Sequence, residues 1–189
     1  FIYENTSTWV EDQVYDAIDD NRQYLSGADG YFSNPGVSLD NSVNDYRGWI
    51  HNEFLSRKFG QATIKKIWEA LDPVGKNDGL EAIISVLGAN SSSMQKSFVE
   101  FAGHNYAKNW YKDAAEYKKA VYETKVENKA APHKLDYSTP TSNEVKVEGV
   151  NIDHAAAKYY KFVPGDTIDE PRILTLSFEA AAVDLVGAV

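Results

Sequence analysis

The chain has 189 residues, enough for one domain or two small ones. It has no cysteine, which excludes disulfides and thiolate metal sites, and its formal net charge of −9 argues against nucleic acid or an anionic membrane as partner. No apolar run approaches the roughly 18 residues of a membrane span, and the short apolar tail Ala180–Val189 is interrupted by Asp184. An apolar fraction of 43%, with four Trp, twelve Tyr and eight Phe, allows a real core.

The first stretch, Phe1–Leu25, opens with Glu4, Thr6, Ser7 and Thr8 before Trp9, Val10, Val14 and Ile18. Val10, Val14 and Ile18 recur at helical spacing and need a partner surface, while Glu11, Asp12, Asp16, Asp19 and Asp20 fill much of the other side. Thr6 or Ser7 suits the start of the helix, and a start before Glu4 is the alternative. The chain begins without Met or a polar lead-in, which reads as a piece cut from something longer.

Ser26–Asp45 is rich in Gly, Asn, Ser, Asp and Pro and reads as a long loop, with Tyr31, Phe32, Val37 and Leu39 tucked against helices. Its Asp29, Asp40, Asn41, Asn44 and Asp45 carry calcium-type oxygens, but at no EF-hand spacing, so a solvated loop with local turns is the stronger reading. Tyr46–Phe59 places Trp49, Ile50, Phe54, Leu55 and Phe59 at helical spacing, and Gly60 ends it. Ala62–Leu71 follows at once with Ile64, Ile67, Trp68 and Leu71 on one face, so the two helices form a hairpin or corner. A third helix spans Asp78–Leu87, capped by Asn77 or Asp78 and stopped by Gly88. A fourth spans Ser91–Trp110, and a shorter one Asp113–Val121. The expected core is Trp49, Phe54, Ile64, Trp68, Ile83, Leu87, Phe98 and Phe101.

The pattern changes after Tyr122. Residues 123–144 contain Pro132 and Pro140 among charged and hydroxyl residues and read as a linker or irregular crossing. Val145 and Val147 then alternate with charges, and Ala155–Val163, Ile173–Phe178 and Val183–Val189 suggest further strands. The fold class expected is α+β: a helical domain over 1–122, then a small antiparallel, sandwich-like β module over 145–189 that stops incomplete.

The usual chemical constellations are mostly missing. The four histidines, His51, His104, His133 and His154, include no pair at zinc-ligand spacing on a helix. His51 and His104 lie among aromatics on predicted helices, which favours structural histidines over a shared polar site. No G-x-S-x-G supports a Ser-His-Asp triad, and no glycine loop suits a phosphate. Neighbouring carboxylates such as Glu11–Asp12 and Asp19–Asp20 diverge by roughly 100° on a helix, so a solvated acidic face explains them better than a glycosidase pair.

Several stretches taken together resemble one family. Glu4, Thr6, Ser7, Trp9, Glu11, Asp12 and Tyr15 resemble E-x-T-A-x-W-x-E-D followed by a Tyr-rich run. Asn34, Pro35 and Leu39 resemble an N-P-x-x-x-L turn. Tyr46–Gly60 fits an aromatic helix ending in Gly, and Ile64, Ile67, Trp68 and Glu69 fit I-x-x-I-W-E. These features are similar to one group of secreted bacterial and archaeal gluzincin-type zinc metallopeptidases. There one helix carries H-E-x-x-H and a later helix supplies a Glu as third ligand, with small residues nearby. This chain has no H-E-x-x-H. The resemblance therefore implies the C-terminal part of such a protein, inactive alone, with Glu4 as its one metal ligand. It implies zinc and a peptide or protein substrate in the parent protein, and an extracellular or cell-surface location. The competing expectation is a non-catalytic extracellular module that recognises protein or glycan through exposed Tyr and Trp.

Overall fold

The computed structural model describes residues 1–41, 45–71, 79–117, 120–127 and 152–163. The chain divides into two units. The described parts of the first are residues 1–41, 45–71, 79–117, 120–122 and 152–157, and those of the second are 123–127 and 158–163.

The first unit is helical. Helix α1 (Ile2–Val14) begins at Phe1, before Glu4, rather than at a Thr6 or Ser7 cap. No side chain caps it, but Glu4 in its first turn faces the positive end of the helix dipole. Its buried residues are Ile2, Asn5, Thr8 and Trp9. Val10, Val14 and Ile18, expected to seek a core, are 42%, 62% and 63% exposed. The reason is that α1 meets α3 (Trp49–Phe59) through hydrogen bonds. Trp9 Nε1 donates to Glu53 Oε2 at 3.0 Å, and Asn52 Nδ2 donates to Thr6 Oγ1 at 3.3 Å. Gly48, at the head of α3, permits this approach, because a Cβ there would lie 2.4 Å from Asn5 Nδ2.

A 3-10 turn (Asp20–Arg22) and the short helix α2 (Gln23–Ser26) lead into the loop. Of the four loop residues expected to tuck in, Tyr31, Phe32 and Leu39 are buried and Val37 is half-buried. Its backbone folds back on α2, with Tyr31 N–H on the Tyr24 carbonyl and Phe32 N–H on the Leu25 carbonyl, at 3.1 and 3.0 Å. Buried Arg47 braces it by donating to the Asn34 carbonyl and lying over the Tyr31 ring. Residues 152–157 lie along the same loop, through Leu39 N–H to the Ala155 carbonyl and Ala157 N–H to the Pro35 carbonyl.

A 3-10 turn (Asp45–Gly48) precedes α3, which is buried over Trp49–Ser56 and so belongs to the interior on all sides. Helix α4 (Ala62–Ala70) buries Thr63, Ile64 and Ile67. Helix α5 (Gly79–Ala89) runs through Gly88, where a stop was expected. Helix α6 (Met94–Ala107) is capped by Ser93, whose Oγ accepts from Lys96 N–H, and ends at Lys108 in the left-handed conformation. Of Asp113–Val121, only Ala114–Glu116 forms a turn of 3-10 helix among the described residues. Six of the eight expected core residues are buried: Trp49, Phe54, Ile64, Ile83, Leu87 and Phe101. Phe98 is half-buried, and Trp68 is 37% exposed because its indole lies on the edge of Tyr3 and donates to Thr6 Oγ1.

In the second unit, β1 (Glu123–Glu127) pairs with β2 (Tyr159–Val163), with Glu123 opposite Tyr159 and Glu127 opposite Val163. The pairing is parallel, and no antiparallel sheet or sandwich is seen among the described residues; most of the 145–189 stretch expected to form that module lies outside them. A parallel pair needs a long crossover, and residues 128–158 provide that length. Strand β1 falls within the stretch expected as a linker or irregular crossing. Val145, Val147, Ile173–Phe178 and Val183–Val189 lie outside the described residues. The described chain is thus mixed α+β, mostly helical with a small parallel sheet.

Candidate functional site

Glu4 stands in the first turn of α1, half-buried, on the shoulder of the helix away from Ile2, Asn5 and Trp9. The Tyr46 hydroxyl hydrogen-bonds to the Glu4 carboxylate, and this bond with the nearby negative charge raises the phenol above its ordinary range. Tyr46 stacks on Tyr24 at 5.0 Å between ring centroids. One turn along, Ser7 is exposed, and its Oγ donates to the Glu4 carbonyl at 2.9 Å. Beyond Ser7 on the same side, Tyr3 meets Trp68 edge to face at 5.0 Å. Glu4 thus sits at the rim of an open helix face, with a small side chain beside it and aromatic rings on two sides.

A carboxylate site can bind a metal only with further donors; zinc takes three protein ligands in catalytic sites. Among the described residues, no group of three or more His, Asp or Glu side chains is arranged to hold a metal ion. The loop acids Asp29, Asp40 and Asp45 belong to no such group among the described residues; Asn44 lies outside them.

A second constellation escaped the sequence reading. Glu53, in the buried run Trp49–Ser56 of α3, accepts from Trp9 Nε1 at 3.0 Å and from Gln13 Nε2 at 3.2 Å. The same Gln13 amide also donates to Asp12 Oδ2 at 3.2 Å, so one NH2 group links two carboxylates. Asn21 Nδ2 donates to Asp12 Oδ1 at 2.6 Å. Burial raises the pKa of both acids, Glu53 and Asp12, against the lowering effect of their hydrogen bonds. Lys112 pairs with Asp16 beside them, and Arg57 lies 3.7 Å from Glu53. Each carboxylate is thus held by protein donors, which suits a structural hinge between α1 and α3 better than an acid poised for chemistry. The signal that could have exposed Glu53 was its place among Trp49, Ile50, Phe54 and Leu55, where a charged residue must be partnered.

Ser38, Asp40 and His154 form a third group. Asp40 Oδ2 lies 2.9 Å and Ser38 Oγ 3.3 Å from His154, both at Nε2, while Ser38 Oγ also donates to Asp40. A catalytic triad needs the acid and the nucleophile on opposite ring nitrogens, so this group cannot relay a proton. It works as a clamp between the loop and residues 152–157. Burial raises the Asp40 carboxyl, but the bonds from Ser38 and His154 outweigh it and leave the pKa lowered.

His51 and His104 do not form a shared polar site. His51 is buried, in contact with the rings of Phe54, Phe98 and Phe101, and desolvation pushes its pKa down to about 3. His104 stacks on Trp110 at 4.4 Å, and burial with the nearby Lys58 charge lowers its pKa. His51 is therefore a neutral core side chain at physiological pH. His133 lies outside the described residues. No helix among the described residues is long and apolar enough to cross a membrane. The chain matches no protein-family model, no curated protein and no solved structure.

Proposed function

We propose that this chain is the C-terminal helical and β portion of a gluzincin-like secreted zinc metallopeptidase, to which it contributes Glu4 and one wall of the substrate cleft. The observation that carries the reading is the setting of Glu4. It stands in the first turn of α1, on an open face, one turn from the small and exposed Ser7. A helix bearing the other ligands can approach such a face closely, because Ser7 offers no bulk to hold it away. Zinc, bound in the parent protein, would polarise the scissile carbonyl and activate water. Glu4 would hold its share of the ligand shell, and Tyr46 would hold the Glu4 carboxylate in place by its hydroxyl. The substrate would be a peptide or protein, and the setting extracellular or at the cell surface. The small sheet would extend through Val145–Val147 and Ile173–Phe178 into a larger β module.

The test is made in a longer protein carrying the upstream helix. Glu4→Gln should weaken zinc binding and abolish peptidase activity while leaving the helical fold intact. Glu11→Gln, two turns along α1, should do much less to the metal. Full zinc content and full activity in the Glu4 variant would overturn the assignment. A second reading, a non-catalytic extracellular module for protein or glycan, is favoured by the exposed rings of Tyr3 (67%), Tyr46 (39%) and Trp68 (37%). Without H-E-x-x-H upstream of Phe1, that reading would stand instead.

A further inference from the structure

The far end of α1 and the turn after it carry an apolar surface that the first unit leaves uncovered. Val10, Val14, Tyr15 and Ile18 are 42%, 62%, 62% and 63% exposed. Val10 and Val14 are one helical turn apart, so their side chains lie one above the other. Tyr15 and Ile18 continue the surface on a turn closed by Ile18 N–H on the Tyr15 carbonyl at 2.9 Å. Four large apolar side chains thus stand exposed within nine residues, and such concentrations of exposed apolar surface mark interaction sites more often than scattered apolar residues do.

The electrostatic surroundings of this patch select the partner. Phe1–Asn21 contains Glu4, Glu11, Asp12, Asp16, Asp19 and Asp20 but no Lys or Arg. No basic residue lies in the last turn of α1, so the negative end of its dipole is uncompensated within the helix. Lys112 on Asp16 and Arg22 on Asp19 offset part of this charge; Glu11 and Asp20 form no ion pair among the described residues. An apolar stripe bordered by negative charge and a helix C-terminus complements an apolar stripe bordered by positive charge.

We propose that Val10, Val14, Tyr15 and Ile18 are the docking surface for a basic amphipathic helix of a partner protein, one with apolar residues at helical spacing flanked by Lys or Arg. The partner's apolar side chains cover the patch, and its cations meet Glu11, Asp20 and the carbonyl end of α1. Specificity comes from both together: an acidic helix would be repelled, and a basic but non-amphipathic peptide would leave the patch wet. The surface does not involve Glu4, so this inference stands or falls apart from the zinc reading.

The probe is an 18-residue Leu/Lys amphipathic peptide, with a Leu/Glu peptide of the same pattern as its counterpart, titrated against the whole 189-residue chain by fluorescence anisotropy. The Leu/Lys peptide should bind, and bind more weakly as salt rises, while the Leu/Glu peptide should not. The Val14→Ser/Ile18→Ser double variant should lose at least tenfold in affinity with unchanged circular dichroism. Glu11→Gln/Asp20→Asn should also weaken binding and flatten its salt dependence. Ile84→Ser, at a site 51% exposed on α5, should bind as the unchanged chain does. Unchanged affinity in the Val14/Ile18 variant, an equal loss in the Ile84 variant, or equal binding of the acidic peptide would overturn the proposal. So would a dimer of the chain that the Val14/Ile18 variant disperses and that takes up no peptide.

Discussion

His51 and Glu53 stand two residues apart on α3, both buried, and burial acts on their charges with opposite consequences for stability. His51 has a folded pKa of about 3 against an ordinary 6.5. Above pH 6.5 both folded and unfolded chains keep it neutral; below, only the unfolded chain takes up the proton. Its contribution is therefore fully present above pH 6.5 and is lost as pH falls toward 3. Between pH 7.5 and 5 the loss from this residue is about 2 kcal/mol. Urea unfolding at both pH values should show a smaller acid loss, by about that amount, in His51→Leu than in the unchanged chain. Glu53 runs the other way, since its folded pKa is raised and the folded chain binds the proton first on acidification. Its charged form weakens the fold at neutral pH, and protonation restores stability as pH falls through the folded value. Glu53→Gln keeps an acceptor for Trp9 and removes the buried charge, so it should be neutral or stabilising at pH 7. Glu53→Ala leaves the buried Trp9 Nε1 donor unpaired, while the exposed Gln13 amide keeps Asp12 and solvent, and should cost about 1–3 kcal/mol. Equal unfolding midpoints for the two variants would contradict this account of the residue.

Among the elements, α3 to α6 were readable because their apolar residues repeat at helical spacing and their ends carry ordinary stop or start signals, such as Gly60 and Ser93. Helix α1 was legible as a helix but not in its orientation. Its inner side uses Ile2, Asn5, Thr8 and Trp9, two of them polar, and periodicity of apolar residues pointed to Val10, Val14 and Ile18 instead. Buried polar side chains with hydrogen-bond partners leave no mark in a hydropathy pattern. Trp68 was misplaced for a related reason: its ring does contact the helices, but at their edge, against Tyr3 and Thr6. Trp68→Ala should therefore cost about 1–2 kcal/mol, whereas Phe101→Ala should cost about 3–5 kcal/mol by leaving a cavity among His51, Phe54 and Tyr31. Thermal or urea unfolding of the two variants decides this; a loss at Trp68 as large as at Phe101 would put the core elsewhere. The loop before α3 behaves as an ordered element, held by Tyr31, Phe32, Leu39 and Arg47. Limited proteolysis should spare Gly27–Asp40, and an early cut there would contradict its packing.

At the scale of the whole molecule, the helical content and the presence of a small sheet were legible, but the direction of strand pairing was not. Pairing depends on which strand β1 finds across residues 128–158, a choice that local alternation does not encode. The candidate site was legible only as Glu4 with its neighbours Thr6, Ser7 and Trp9; Tyr46 came to it through the fold, from beyond the loop. The clamp of Ser38, Asp40 and His154 joins residues more than a hundred positions apart, which no motif spacing announces. The acidic balance of −9 is concentrated at the start of the chain, where both the Glu4 face and the Val10–Ile18 surface lie. What unites these features is an α1 helix held to α3 by polar contacts on one side and left open on the other.

The central claim is that this open side brings Glu4 to a zinc ion. Its most direct test is a crystal structure of the longer protein, with anomalous data collected at the zinc edge. The account predicts a single zinc with a Glu4 carboxylate oxygen at about 2.0–2.2 Å and the remaining protein ligands from the helix upstream. A zinc whose protein ligands are complete without Glu4, or a Glu4 carboxylate still held only by Tyr46 and solvent in a zinc-loaded active enzyme, would contradict it.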